Sequence, residues 1–117
     1  MRLGSWDCRV KSDTLAWASY EAHEQFDDIK RGITSERHRH RYEFNDDFVK
    51  DFEDSGLIIS GRSLKENLVE LIELPRSEHP FFLATQGHPE YKSRPLKPHA
   101  FFIEFLRAAY KNKSASK

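Results

Sequence analysis

His88 and Glu90, separated by one proline, are the residues whose types and spacing most clearly suggest chemistry. In an extended backbone, residues two apart project to the same side, so this imidazole and carboxylate can face one site together. Pro89 fixes its own φ and restricts the residue before it, which narrows the geometry of the pair. A carboxylate beside an imidazole sets its tautomer and stabilises the imidazolium, which is the base half of a nucleophilic triad. The alternative is a surface turn in which the two residues are merely neighbours.

A second candidate site is the run RHRHR at 37–41, which has a period of two. The period places the three arginines on one face of a strand and His38, His40 and Tyr42 on the other. The two histidines could bind zinc with two further ligands. Arg41 beside Tyr42 could instead hold a substrate carboxylate through a forked, charge-assisted contact. The arginines could also simply pair with nearby acids, including Glu36.

The length, composition and net charge of the chain exclude several classes of protein. With 117 residues the chain is one domain or part of one, and 38% hydrophobic and 32% charged residues suit a soluble globular protein. Lys and Arg number 19 and so do Asp and Glu, so no net field favours nucleic acid or an anionic membrane. A single cysteine, and no apolar run that could span a bilayer or start a signal peptide, make the cytoplasm the expected compartment.

Cys8 is the only thiol in the sequence and is therefore the one candidate for a cysteine nucleophile. A catalytic cysteine needs a lowered pKa, usually from a helix N-terminus at a sharp turn flanked by glycines. The sequence WDCRV around Cys8 offers no such turn, so we expect a structural role for this residue.

The elements that must position these residues follow from patterning. Residues 81–86 predict a buried strand that ends just before His88, and α/β folds place their sites at the ends of parallel strands. Asn45 predicts an N-cap and Gly56 the end of that helix, whose apolar stripe contains Phe48, Val49 and Phe52. Other predictions are a strand or hairpin arm over 1–10, a strand or helical turn over 14–20, and a surface helix or loop over 21–30. Two further strands are predicted over 57–61 and 68–74. A helix is predicted from Pro98, with a buried face made of Phe101, Phe102, Phe105, Leu106 and Ala109.

Several segments, in order, resemble the CTP synthase family: MRLG at 1–4, ERHRHRYEFN at 36–45, SG at 60–61, LVE at 68–70, HPFF at 79–82, QGHPE at 86–90 and SRPLKPH at 93–99. The resemblance covers nearly the whole chain. It implies an α/β fold, the last part of a class I (triad-type) glutamine amidotransferase domain whose flavodoxin-like sheet lacks its N-terminal strands here. Residues 1–110 would be that segment and residues 111–117 a solvated tail.

The resemblance also implies a function. Enzymes of this family join an amidotransferase domain, which hydrolyses glutamine, to a synthetase domain that uses ATP and Mg²⁺ to aminate UTP to CTP, with GTP as activator. His88 would be the general base of a Cys-His-Glu triad and Glu90 the group that orients it. Arg41 would contact the bound glutamine and Tyr42 would line its pocket. No cofactor or metal is expected in this segment.

Two departures from the family pattern matter. The cysteine nucleophile would lie before Met1, so the chain alone is predicted to be inactive, and Gly87 stands where the family more often has a bulky aromatic residue. The expected partners are glutamine, the synthetase domain and the N-terminal half of the amidotransferase domain, within a homotetramer, with no nucleic acid and no membrane. The alternatives are a stand-alone, non-catalytic remnant that acts as a binding module, and a small metal protein that uses His38 and His40.

Overall fold

The computed structural model describes residues 2–40 and 42–115 of the chain. Within these ranges a five-stranded sheet carries helices and short 3₁₀ turns. The elements are β1 Arg2–Val10, α1 Leu15–Ala22, β2 Ile33–His40, a 3₁₀ turn Asp46–Phe48, α2 Val49–Asp54, β3 Ile58–Ser63, β4 Val69–Glu73, β5 Leu83–Thr85, a 3₁₀ turn Pro89–Tyr91 and α3 Ala100–Ala115.

The strands lie in the order β2-β1-β3-β4-β5, and each of these pairings is antiparallel. The expectation that the site lies at the ends of parallel strands is therefore wrong for the described sheet. The short connection between β3 and β4 explains part of this, because a parallel pair needs a crossover of a dozen or more residues. The strands instead position the site from the side, at the β2 edge.

The strand predicted over 57–61 was expected to end at Gly61. Strand β3 instead continues to Ser63, and Gly61 lies inside it at a shift of register. A Cβ atom on Gly61 would lie 2.7 Å from Cδ1 of Leu71 and 3.0 Å from Sγ of Cys8. Glycine is needed here because both side chains pack directly on the strand backbone.

Cys8 lies in the hydrophobic core, where its side chain is 1% exposed, as expected for a structural cysteine. The other buried members of this core are Val10, Ala16, Tyr20, Leu71 and Phe101. Together they join the sheet to helices α1 and α3, so that the helices form a layer against one face of the sheet.

Helix α1 resolves the ambiguity of residues 14–20 in favour of helix. Thr14 is its N-cap, and the Thr14 hydroxyl accepts a hydrogen bond from the backbone N–H of Trp17. The buried carboxylate of Glu73 accepts two more, from the N–H groups of Leu15 and Ala16. These acceptors satisfy donors that the first turn of a helix leaves open.

Helix α3 differs from its prediction in burial. Phe101 is 6% exposed, but Phe102, Phe105 and Leu106 are 40%, 53% and 66% exposed, and Ala109 is also exposed. The reason is that α1 packs on one side of α3, while Phe105 contacts the ring of Phe81 with centroids 5.8 Å apart and still stays half exposed. The helix also continues to Ala115, into the region expected to be a tail. No helix in the described ranges is both long enough and apolar enough to cross a membrane.

Strand β5 is shorter and less buried than predicted, because it pairs with β4 alone and forms an edge of the sheet. The helix predicted after Asn45 begins as the 3₁₀ turn Asp46–Phe48, which Asn45 caps, and continues as α2, which Gly56 follows as predicted. The Asn45 side chain accepts from the N–H of Asp47, and Gly56 has a φ of +101° just after the helix. The predicted apolar stripe is not buried, since Phe48 and Phe52 are 52% and 37% exposed.

Candidate active site

His88 and Glu90 are in direct contact: Nδ1 of His88 lies 2.8 Å from Oε1 of Glu90. The contact does not arise from strand alternation, as the sequence suggested. His88 instead caps the 3₁₀ turn Pro89–Tyr91, which brings the Glu90 carboxylate back to the ring. Both side chains remain partly open to solvent, at 35% and 49% exposure, so a substrate could reach them.

The orientation of the His88 ring is fixed from two sides. Glu90 holds Nδ1, and the ring of Tyr91 stacks on the imidazole with centroids 4.9 Å apart and an interplanar angle of 19°. If Nδ1 carries the proton that is donated to Glu90, Nε2 is the nitrogen with a lone pair. An imidazole in this tautomer can act as a general base at Nε2.

Strand β2 holds the backbone of the turn. The N–H of His88 donates to the carbonyl of Arg37 over 2.8 Å, and Nζ of Lys92 donates to the carbonyl of Ser35 over 2.5 Å. These two hydrogen bonds fix the turn at both ends, because Lys92 directly follows it. The position of the imidazole therefore depends on the position of β2.

Gly87 lies between β5 and His88 and is buried. A Cβ atom on this residue would lie 3.0 Å from Cβ of Glu36 and 3.4 Å from Oγ1 of Thr85. The first distance is tighter than an ordinary van der Waals contact, so a larger residue at position 87 would require β2 to shift. The glycine lets the turn lie directly against the Glu36 side chain.

The predicted glutamine contacts are described only in part. Arg41 lies outside the described residues, and Tyr42 follows β2 with its side chain 83% exposed. The carbonyl of Tyr42 lies 3.0 Å from Nδ1 of His40. Tyr42 is therefore open to a ligand, and the roles of both residues stay predictions.

The alternation predicted for β2 is confirmed over Arg37 to His40, since the arginines are exposed and His38 is 2% exposed. Nδ1 of His38 lies 2.8 Å from Nε2 of His40, and Nε2 of His38 lies 3.3 Å from Oε1 of Glu70. The histidine nitrogens thus contact each other and a carboxylate. Across residues 2–40 and 42–115, no group of three or more His, Cys, Asp or Glu side chains is placed to hold a metal ion.

A buried cluster around Glu36 was not predicted from the sequence. Oε2 of Glu36 accepts hydrogen bonds from the hydroxyl of Tyr20 and from Nε2 of His99, each over 2.5 Å. Burial, and then the Glu36 carboxylate, raise the pKa of Tyr20 well above its ordinary value, so the phenol stays a donor. Extending the β2 alternation back by one step from His38 would have placed Glu36 on the buried face.

Comparison with known proteins identifies the family and the fold to which the chain is similar. Residues 5–108 match the family described as glutamine amidotransferase class-I. The chain is 47% identical over 114 residues to a CTP synthase of Synechococcus sp. (strain JA-3-3Ab), an alignment that covers 97% of this chain and 19% of that protein. The chain therefore spans about a fifth of the length of that relative. The solved glutaminase domain of Trypanosoma brucei CTPS with bound acivicin superimposes with a TM-score of 0.79 at 34% identity, over 95% of this chain and 40% of that one.

Proposed function

The chain belongs to the class I glutamine amidotransferase family, and from this premise we propose that it forms part of a glutamine-hydrolysing site in which His88 is the general base and Glu90 orients it. The observation that carries the proposal is the 2.8 Å contact between Nδ1 of His88 and Oε1 of Glu90, on a partly exposed turn held by β2. Class I domains use such a pair to activate a cysteine thiol.

The proposed steps follow from that geometry. Nε2 of His88 takes the proton of a cysteine thiol, and the thiolate attacks the side-chain amide carbon of glutamine. His88 then donates this proton to the departing nitrogen, the C–N bond breaks, ammonia leaves, and the cysteine remains bonded to the glutamyl group as a thioester. In the second half His88 removes a proton from water as it attacks the thioester, and returns it to the thiol as glutamate leaves. Glu90 stabilises the imidazolium formed in each half.

The nucleophile is proposed to come from a part of the enzyme outside this chain, and the chain alone is proposed to be inactive. The only thiol present, Cys8, is 1% exposed in the core and so is shielded from substrate. Arg41 and Tyr42 are proposed to bind glutamine, Arg41 through its carboxylate. Their place in the sequence supports this role, because they directly follow β2, the strand that also holds the His88 turn.

The parent enzyme is proposed to be a CTP synthase, which passes the ammonia to a synthetase domain for the ATP-dependent conversion of UTP to CTP. The identity of 47% over nearly the whole chain supports this assignment. ATP, Mg²⁺ and the activator GTP would be bound outside this segment, in a cytoplasmic homotetramer. No part of this proposal involves nucleic acid or a membrane as a partner.

The test uses a chimera in which this chain replaces the 114 residues that it matches in the Synechococcus CTP synthase. Ammonia-dependent CTP formation reports whether the synthetase reaction of the chimera is intact, since that reaction bypasses glutamine hydrolysis, and urea denaturation of the chimera reports whether the inserted segment folds. We expect the chimera to use both glutamine and ammonia, and His88→Ala to lower glutamine-dependent formation by at least about 100-fold while sparing the ammonia-dependent reaction.

Two outcomes would contradict the proposal. If His88→Ala leaves glutamine use intact, His88 is not the base. If the chimera uses ammonia but never glutamine, the chain is a non-catalytic remnant that acts as a binding module. The isolated chain, assayed for glutaminase activity in parallel, should release no ammonia.

A further inference from the structure

We propose that Glu36, held by Tyr20 and His99, is a positioning residue for His88. This inference rests on the glutaminase function proposed above. Glu36 touches neither His88 nor Glu90 through a hydrogen bond, so its effect would pass through the backbone of β2 and the turn that β2 supports.

The first step is that Glu36 ties β2 to both helices that cover the sheet. Its Oε2 atom accepts from Tyr20 on α1 and from His99, which precedes α3. The three residues are 5%, 1% and 4% exposed, so water does not compete strongly for these contacts. The short hydrogen bonds therefore fix the Glu36 side chain in two directions.

The His99 ring can play only one role in this cluster. Its Nδ1 accepts a hydrogen bond from the backbone N–H of Phe101 at the start of α3, so Nδ1 carries a lone pair. Nε2 must then carry the proton that is donated to Glu36. His99 thus serves as a fixed link between the first turn of α3 and strand β2.

The second step is the contact between β2 and the catalytic turn. The carbonyls on both sides of Glu36, those of Ser35 and Arg37, accept the hydrogen bonds from Lys92 and His88. Gly87 also lies against the Glu36 side chain, where an added Cβ would come within 3.0 Å of Cβ. A shift of Glu36 would therefore move the acceptors that hold the backbone at His88.

The carboxylate of Glu36 supplies an acceptor that an apolar side chain would not. Oε1 of Glu36 is buried and has no hydrogen-bond partner among the described residues, which offsets part of the stability that the two hydrogen bonds to Oε2 contribute. An apolar side chain could fill the space but could not accept from Tyr20 and His99. What the carboxylate adds is a fixed direction, which a general base requires and simple packing does not supply.

The test compares Glu36→Leu with Glu36→Gln in the chimera described above. Leucine removes the one oxygen that accepts both hydrogen bonds, and we expect the kcat for glutamine to fall by about 10- to 100-fold, because a displacement near 1 Å can cost 10²-fold in rate. The KM for glutamine and the ammonia-dependent rate should stay within about twofold of the unsubstituted chimera, because neither binding of glutamine nor the synthetase reaction uses His88. Glu36→Gln keeps an acceptor oxygen and should restore kcat to within about threefold.

Two further variants make the result interpretable. Tyr20→Phe removes one hydrogen-bond donor with little change of shape, and should lower the kcat for glutamine by about 3- to 10-fold even if Glu36→Leu does not fold. Glu53→Leu places the same substitution on an exposed position of α2 and controls for loss of an acidic residue.

The positioning role is overturned if Tyr20→Phe and Glu36→Leu leave the kcat for glutamine unchanged, or if Glu36→Leu lowers the glutamine- and ammonia-dependent rates equally. It is also overturned if Glu36→Gln is as slow as Glu36→Leu. The His88→Ala variant separates this failure from that of the proposed function. If His88→Ala loses glutamine use while the Glu36 and Tyr20 variants keep it, the glutaminase assignment stands and only the positioning role is lost.

Discussion

Glu90 reaches back across a 3₁₀ turn to place its Oε1 atom 2.8 Å from Nδ1 of His88. The pair is therefore a local structure, built by Pro89 and the turn, and it does not require an extended strand beneath it. Strand β2 then fixes the whole turn relative to the sheet, through the hydrogen bond from the His88 N–H to Arg37.

This contact predicts a large effect of Glu90→Gln. The side-chain amide introduced at position 90 can donate its NH₂ group to Nδ1 of His88. Nδ1 then keeps the lone pair and Nε2 carries the proton, so Nε2 cannot act as a base. We expect glutamine-dependent CTP formation by the chimera to fall by about 10²- to 10⁴-fold, with ammonia-dependent formation unchanged. A glutamine-dependent rate within a factor of about three of the unsubstituted chimera would show that Glu90 does not set the tautomer.

Arg41→Ala tests the glutamine contact that the sequence predicts. Loss of a charge-assisted hydrogen bond to the substrate carboxylate should raise the KM for glutamine by about 10- to 100-fold, with a smaller effect on kcat. Arg39→Ala is the matched control, because Arg39 is an exposed arginine two residues earlier. Steady-state kinetics of the chimera measure both. Equal KM values for the two variants would remove Arg41 from the site.

Glu73→Ala should destabilise the fold. Glu73 is 2% exposed, and its carboxylate accepts from the N–H groups of Leu15 and Ala16 at the start of α1. Removing it leaves two buried donors without this acceptor, which we expect to lower the free energy of unfolding by about 1 to 3 kcal/mol. Urea denaturation of the chimera, followed by a probe in this domain, measures the change, and Glu21→Ala on the exposed side of α1 is the control. A shift no larger than that control would contradict the capping role.

The raised pKa of Tyr20 should make the fold less stable at high pH. Burial and then Glu36 raise the pKa of Tyr20 in the folded protein well above 10.0, its ordinary value, which it regains on unfolding. The folded state then keeps a proton that the unfolded state releases, so the stabilisation is complete below pH 10.0 and is lost as the pH rises towards the folded pKa. Denaturation of the chimera at pH 8 to 11 should show a steeper loss than in Tyr20→Phe. Parallel curves would contradict this assignment.

Local patterns in the sequence predicted local structure well. The alternation at 37–40, the Asn45 cap and the position of Gly56 all depend on neighbouring residues, and all three are confirmed. The contact of His88 with Glu90 also follows from their spacing, although through a turn and not a strand. The family resemblance supplied the fold, which residue patterns alone left open.

Burial was harder to predict because it depends on which layers meet. Phe102, Phe105 and Leu106 have the spacing of a buried helix face, yet α1 covers only the side of α3 that carries Phe101. The sequence suggested Glu36 only as an acid with which the neighbouring arginines could pair, because charged residues are rarely buried without partners. Its partners, Tyr20 and His99, lie 16 and 63 residues away in sequence, beyond the reach of any local pattern.

The order of the strands gives the β2 edge an additional importance. An outermost strand presents unpaired backbone groups that can recruit a strand from another molecule. The turn that carries His88 covers part of this edge by bonding to the carbonyl of Arg37, so the loop that would perform the chemistry also keeps this backbone group from pairing with a strand of another molecule. Substitutions that loosen this loop should therefore reduce solubility together with turnover.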